Sequence, residues 1–126
     1  MPVVELLEES GGPVLALRVM SGRQGGDDPE VVAARAREAV RRHGSLRLLL
    51  LVDRIGLLEA AWLRSHLPLA AGLAEDVQRV AVVGDQGWLE GAVRAAPGKG
   101  RTEVRVFPRA RAEEARAWLN QVSLEA

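Results

Sequence analysis

Cysteine is absent from this chain of 126 residues, and so is tyrosine. The lack of thiols excludes disulfides, thiolate nucleophiles and cysteine-ligated metal centres. No serine stands in a Gly-x-Ser-x-Gly context, so nucleophilic catalysis has no support either. The two histidines, His43 and His66, are not accompanied by carboxylates at metal-binding spacing. We therefore expect a protein that is not an enzyme and that carries no metal or cofactor.

Net charge is also missing, because 17 basic residues balance 17 acidic ones. Proteins that bind nucleic acids generally carry a basic excess, so we expect no nucleic-acid partner. No apolar run reaches the roughly 18 residues of a membrane-spanning helix. The N-terminus is charged too early for a signal peptide. These features predict a cytoplasmic protein without a transmembrane segment.

Two aliphatic runs are the strongest signals that the chain does contain. Residues Leu48–Val52 are five consecutive large aliphatics closed by Asp53, and Val80–Val83 is followed by Gly84 and Asp85. A strand without a polar face must be covered on both sides, which is typical of the centre of a parallel sheet. The sequence therefore predicts an α/β fold.

The remaining elements predict one domain over residues 1–126. The runs 3–8 and 14–19, joined by a Gly-Gly-Pro turn, predict an antiparallel hairpin. Asp28 before Pro29 predicts the start of a helix that ends at Gly44. Later elements are predicted as strand 46–52, helix 57–74, strand 79–83, helix 86–95, edge strand 102–107 and a last helix bearing Ala115, Trp118, Leu119 and Val122. The order is ββαβαβαβα, a hairpin followed by parallel strands that alternate with helices.

Five segments of the chain resemble a known family. They are Val14–Val19, Leu46–Leu50, Arg79–Asp85 with Trp88-Leu89, Val104–Pro108 and Glu114–Leu119. In this order they resemble the SpoIIAA-like family, which is related to the STAS (sulfate transporter and anti-sigma-factor antagonist) domains. The resemblance implies a sheet wound from strand–helix turns and a link to the lipid-binding CRAL-TRIO (Sec14-like) fold. It also implies a non-enzymatic regulator that binds a kinase-like partner and is switched by phosphorylation of a Ser or Thr.

The hydroxyl group that such a switch needs is missing. The loop after the central strand reads Asp53-Arg54-Ile55-Gly56, and no Ser or Thr lies between Ser45 and Ser65. A phosphoryl group at a helix N-terminus requires a hydroxyl there. Asp53 could imitate only the charged, phosphorylated state of such a residue, and it would do so permanently. We therefore expect a regulatory module without the phosphorylation switch.

Asp53 and Asp85 follow predicted neighbouring strands, at the edge where open α/β sheets bind ligands. They could form a polar site that holds Mg²⁺, which would allow a metal-dependent hydrolase. Capping of the helices that follow is the interpretation we prefer, because acidic residues are favoured at helix starts.

The predicted helix 57–74 has an unusual composition. Twelve of its eighteen residues are apolar, and its few polar residues form no stripe. Trp62 and Leu63 project on the same side as Glu59 and His66, and Pro68 should kink the helix. Two interpretations explain this composition equally well. The helix is sandwiched within the core, or it forms an apolar contact surface.

Two functional hypotheses follow from that helix. The first is a regulatory module that binds an unidentified protein partner, or a second copy of itself, through five residues: Arg54, Leu58, Trp62, Leu63 and Leu67. The second is a carrier of a lipid or another apolar small molecule, gated by the helix broken at Pro68.

The central strand raises a related question about coverage. Leu49 and Leu51 face opposite to Leu48 and Leu50, because side chains alternate along a strand. If the helices cover mainly one face of the sheet, the other face needs another helix, a second subunit or an apolar molecule.

Overall fold

The computed structural model describes residues 2–7, 11–21, 28–53, 76–85, 87 and 103–121, which include a five-stranded mixed sheet. The strands are β1 (Pro2–Leu6), β2 (Val14–Ser21), β3 (Leu46–Val52), β4 (Val77–Val83) and β5 (Glu103–Phe107). They are arranged in chain order, with β1 antiparallel to β2 and every other pair parallel. The predicted hairpin and parallel strands are confirmed. The helices predicted at 57–74 and 86–95 lie outside the described residues, so the complete ββαβαβαβα order stays a prediction.

Helix α1 (Pro29–His43) begins and ends where its sequence predicts. The carboxylate of Asp28 accepts a hydrogen bond of 2.9 Å from the N–H of Glu30. At the other end Gly44 has a φ of 77°, and its N–H donates to the carbonyl of Val40 at 2.7 Å. Glycine takes this left-handed conformation without the steric cost that a Cβ brings, so the helix stops there.

Both faces of the sheet are packed by helices of the chain itself. Helix α1 places Val32 and Ala36 in one cluster with Leu48. The last helix, α2 (Ala112–Asn120), lies on the other face, where Trp118 packs in a cluster with Leu49. Another helix therefore covers the second face, which answers the question raised by the central strand. Val122, the last residue of the predicted stripe, lies outside the described residues.

Two arginines hold the C-terminus of α2 against the start of the parallel strands. Arg47 of β3 donates to the carbonyl of Leu119, and Arg79 of β4 donates to that of Trp118 at 2.6 Å. Both also reach the carbonyl of Gln121, at 3.1 and 3.4 Å. The last carbonyls of a helix have no partners within it and carry partial negative charge, so these guanidinium groups stabilise the helix end.

Strand β5 lies at an edge of the sheet, as predicted. Its alternation is weaker than expected, because Val104 is 41% exposed while Val106 is half-buried. The reason is its position, since an edge strand has a neighbour on one side only. Among the helices that the structure describes, none is long and apolar enough to cross a membrane.

Candidate functional site at the carboxyl edge of the sheet

Asp53 and Asp85 stand at the same edge of the sheet because strand pairing continues past the strand ends. The N–H of Asp53 donates to the carbonyl of Val19 at 2.7 Å, and the N–H of Gly84 donates to that of Phe107 at 3.0 Å. Each bond fixes the backbone at or beside an acidic residue. The carboxylates therefore project from a rigid edge, where open α/β sheets place their ligands.

Arg109 lies between the two carboxylates. Its backbone N–H donates to the Oδ1 atom of Asp85 at 2.9 Å, and its Nη1 atom lies 3.7 Å from the Oδ1 atom of Asp53. Arg109 is the first residue of a short 3₁₀ helix, Arg109–Arg111, that leads into α2. Asp85 thus acts as a helix cap from a neighbouring strand. Whether it also caps the predicted helix 86–95 concerns residues outside those described.

This arrangement favours a structural role for the acidic pair over metal binding. The guanidinium of Arg109 offsets the charge of Asp53, and a hydrogen bond occupies Asp85. Within the described residues, no three histidine or acidic side chains come together as a metal site would require.

We expect Asp85→Ala to lower the free energy of unfolding by about 1 kcal/mol, the usual cost of losing a helix cap. The N–H of Arg109 would lose its protein acceptor and depend on water. Urea unfolding monitored by circular dichroism measures the change. Asp85→Asn is the matched control, because it keeps an acceptor oxygen and should cost clearly less. Equal losses in both variants would show that the charge, and not the hydrogen bond, is important.

A pocket of about 210 Å³ opens beside these residues, on the face of the sheet covered by α2. Its floor is a row across three strands, since Arg18 pairs with Leu51 and Leu51 pairs with Val83. Ala112 and Arg116, one helical turn apart on α2, form a wall. Among the described residues, the lining consists of Arg18, Leu51, Val52, Asp53, Val83, Arg109, Ala112 and Arg116.

The pocket lining carries three arginines and one aspartate among the described residues. Local sequence pattern did not predict Arg18, Arg109 or Arg116 as site residues. A signal existed for Arg18, because it interrupts an otherwise apolar strand next to the buried Leu17 and Val19. For the other two, arginines on a helical segment are too common to indicate a site.

The five predicted contact residues (Arg54, Leu58, Trp62, Leu63 and Leu67) lie outside the described residues. Asp53, the residue immediately before Arg54, is described by the structure. The Asp53 side chain is 45% exposed. Asp53 itself lies at the carboxyl edge of the sheet.

A mixed five-stranded sheet with helices on both faces defines an α/β domain that is consistent with the STAS-like class. The SpoIIAA-like family profile matches residues 14–120, and the chain belongs to the SpoIIAA-like family. No curated protein and no solved structure matches it. The expected link to the CRAL-TRIO fold is not borne out, because the family match is to SpoIIAA-like. Membership suggests a STAS-type regulatory domain, a class that is generally non-enzymatic.

Proposed function

We propose that this protein is a non-enzymatic regulatory module of the cytoplasm that binds a protein partner, or a second copy of itself, without a phosphorylation switch. The contact surface is the segment after β3, with Arg54, Leu58, Trp62, Leu63 and Leu67. The family match over residues 14–120 is the observation that carries this proposal.

The surroundings of Asp53 support the absence of a switch. Asp53 directly follows the central strand β3, immediately before the segment that lacks a hydroxyl residue. Its backbone is fixed by the bond to Val19, and its carboxylate pairs with Arg109. This carboxylate and its ion pair are present without any modification, so no kinase is needed to create them. The module would therefore bind its partner constitutively.

The packing of the sheet supports a contact surface away from the sheet faces. Leu48 and Leu49 project to opposite faces, and both are buried against the chain's own helices. These faces need no partner to cover them. The surplus of apolar residues in 57–74 makes that segment the stronger candidate for a binding surface.

The test places a photo-crosslinking benzoylphenylalanine at Leu58 in cells that express the protein. We expect a discrete adduct that Trp62→Glu weakens by more than about 30-fold, since a tryptophan at the centre of an interface typically contributes 2 kcal/mol or more. The matched control is Val31→Glu on α1, where the native side chain is already 49% exposed. Adduct formation that survives Trp62→Glu would overturn the proposal.

Circular dichroism of both glutamate variants establishes that they are folded. Native mass spectrometry of the purified protein separates this proposal from the lipid-carrier hypothesis, which rests on the same segment and stays a prediction. A carrier would retain a small apolar molecule or take one up from a lipid mixture. A partner-binding module would show the mass of the bare chain or of its dimer.

A further inference from the structure

Three arginines from three different elements line the pocket at the carboxyl edge. Arg18 comes from β2, Arg109 from the 3₁₀ helix and Arg116 from α2. Arg18 is remote in the sequence from Arg109 and Arg116, so only the fold brings all three to one cavity. Leu51 and Val83 form an apolar floor between them.

The ion pairs of Arg18 and Arg109 are loose. Arg18 lies 3.9 Å from a carboxylate oxygen of Glu5, and Arg109 lies 3.7 Å from Asp53. Both separations exceed the usual hydrogen-bond length of about 2.7–3.2 Å. All four side chains are between 43 and 63% exposed. Such pairs contribute little to stability, so the guanidinium groups of Arg18 and Arg109 can turn toward a ligand at small cost. Arg116 is held more closely, by a hydrogen bond of 3.1 Å to Glu113.

We propose that this pocket binds a small oxyanion, a phosphate or carboxylate group. A planar guanidinium donates two parallel hydrogen bonds to either group, and charge-assisted bonds of this kind are among the strongest in proteins. The volume of about 210 Å³ lies below the range of roughly 300–1,000 Å³ that holds drug-sized ligands. The occupant is therefore one anionic group with few carbon atoms, which rest on Leu51 and Val83.

This proposal does not depend on partner binding by the segment after β3. The positive charge of the pocket also does not come from the start of the helix, because Asp85 already accepts the N–H of Arg109. The arginine side chains carry the recognition. Removing one of them should weaken binding and leave the sheet intact.

The experiment titrates inorganic phosphate, and separately propionate, into the full chain at constant ionic strength. The Nε–Hε resonances of the arginines are followed by NMR. We expect saturable shifts that include Arg18 and Arg116, and affinity that falls about tenfold or more in Arg18→Gln and in Arg116→Gln. The matched control, Arg37→Gln on the exposed side of α1, should keep the affinity within about twofold.

Shifts that grow linearly without saturation, or equal affinities in all four proteins, would overturn the proposal. Saturable binding of phosphate alone would identify a phosphate site, and binding of both probes would identify a general oxyanion site. Circular dichroism checks that each variant is folded. If Arg18→Gln unfolds the domain, Arg109→Gln is used as the test variant in its place. The Arg109 side chain is 63% exposed, and the substitution retains the backbone hydrogen bond from residue 109 to Asp85.

Discussion

Trp118→Ala should lower the free energy of unfolding by about 3–5 kcal/mol through the lost packing of the indole ring. Trp118 is only 5% exposed in the cluster between α2 and the sheet. The guanidinium groups of Arg79 and Arg105 lie 5.2 and 5.0 Å from its ring centroid, and the Phe107 ring lies 5.9 Å away. Losing the cation–π contacts adds about 0.5–2 kcal/mol. Small domains have about 5–15 kcal/mol in total, so the variant should be close to unfolding.

Urea unfolding followed by far-UV circular dichroism measures this effect without depending on tryptophan fluorescence. The midpoint should fall while the slope stays constant, as expected when stability changes and the exposed area does not. Arg105→Gln serves as the matched control, since it removes one cation and keeps the ring. Its cost should stay below about 1 kcal/mol. A loss of less than 1 kcal/mol for Trp118→Ala would show that α2 is not an essential cover of the sheet.

Leu48→Ala should lower the free energy of unfolding by about 2–5 kcal/mol. Leu48 is at the centre of the sheet, between Leu15 of β2 and Val80 of β4, with 0% of its surface exposed. Paired strands on both sides and α1 above leave little freedom to close the cavity. The lost transfer free energy and the remaining cavity therefore both contribute to the loss of stability.

Leu50→Ala is the matched control, with the same substitution on the same strand and the same face. Leu50 packs against the α1-side cluster but is only partly buried. It gives up less apolar surface, so its cost should be clearly smaller than that of Leu48→Ala. Denaturant midpoints of the two variants decide the comparison. Equal costs would mean that burial at the two positions is equivalent, contrary to the structure.

Much of the sheet could be predicted from local pattern. The strand predicted at 46–52 has the bounds found for β3, because five consecutive aliphatics can only be satisfied between two covered faces. The caps at Asp28 and Gly44 were predictable for a similar reason, since their chemistry acts on the nearest backbone groups. The predictions were less accurate for β4, which begins at Val77 and not at Arg79. Gln78 is polar and separates Val77 from the rest of the strand, which conceals the start of β4.

The candidate site was predictable only in part. Asp53 and Asp85 could be assigned to one edge of the sheet because parallel strands end together. The partner of Asp85 is Arg109, which is 24 positions away in the chain, and local spacing does not predict such a contact. Arg109 and Arg116 were missed for the same reason, since each is unremarkable in its own segment. Arg18 does interrupt an apolar strand, but that pattern alone does not show which residues it meets in space.

The strands, the capped first helix and the apolar stripe of α2 follow from local sequence, because each depends on residues within a few positions of one another. The cover that α2 provides for the second face of the sheet follows from the folded arrangement of the chain. So does the pocket that Arg18 shares with Arg109 and Arg116. Burial and electrostatic interactions depend on distance in space, and folding brings together residues that are remote in sequence.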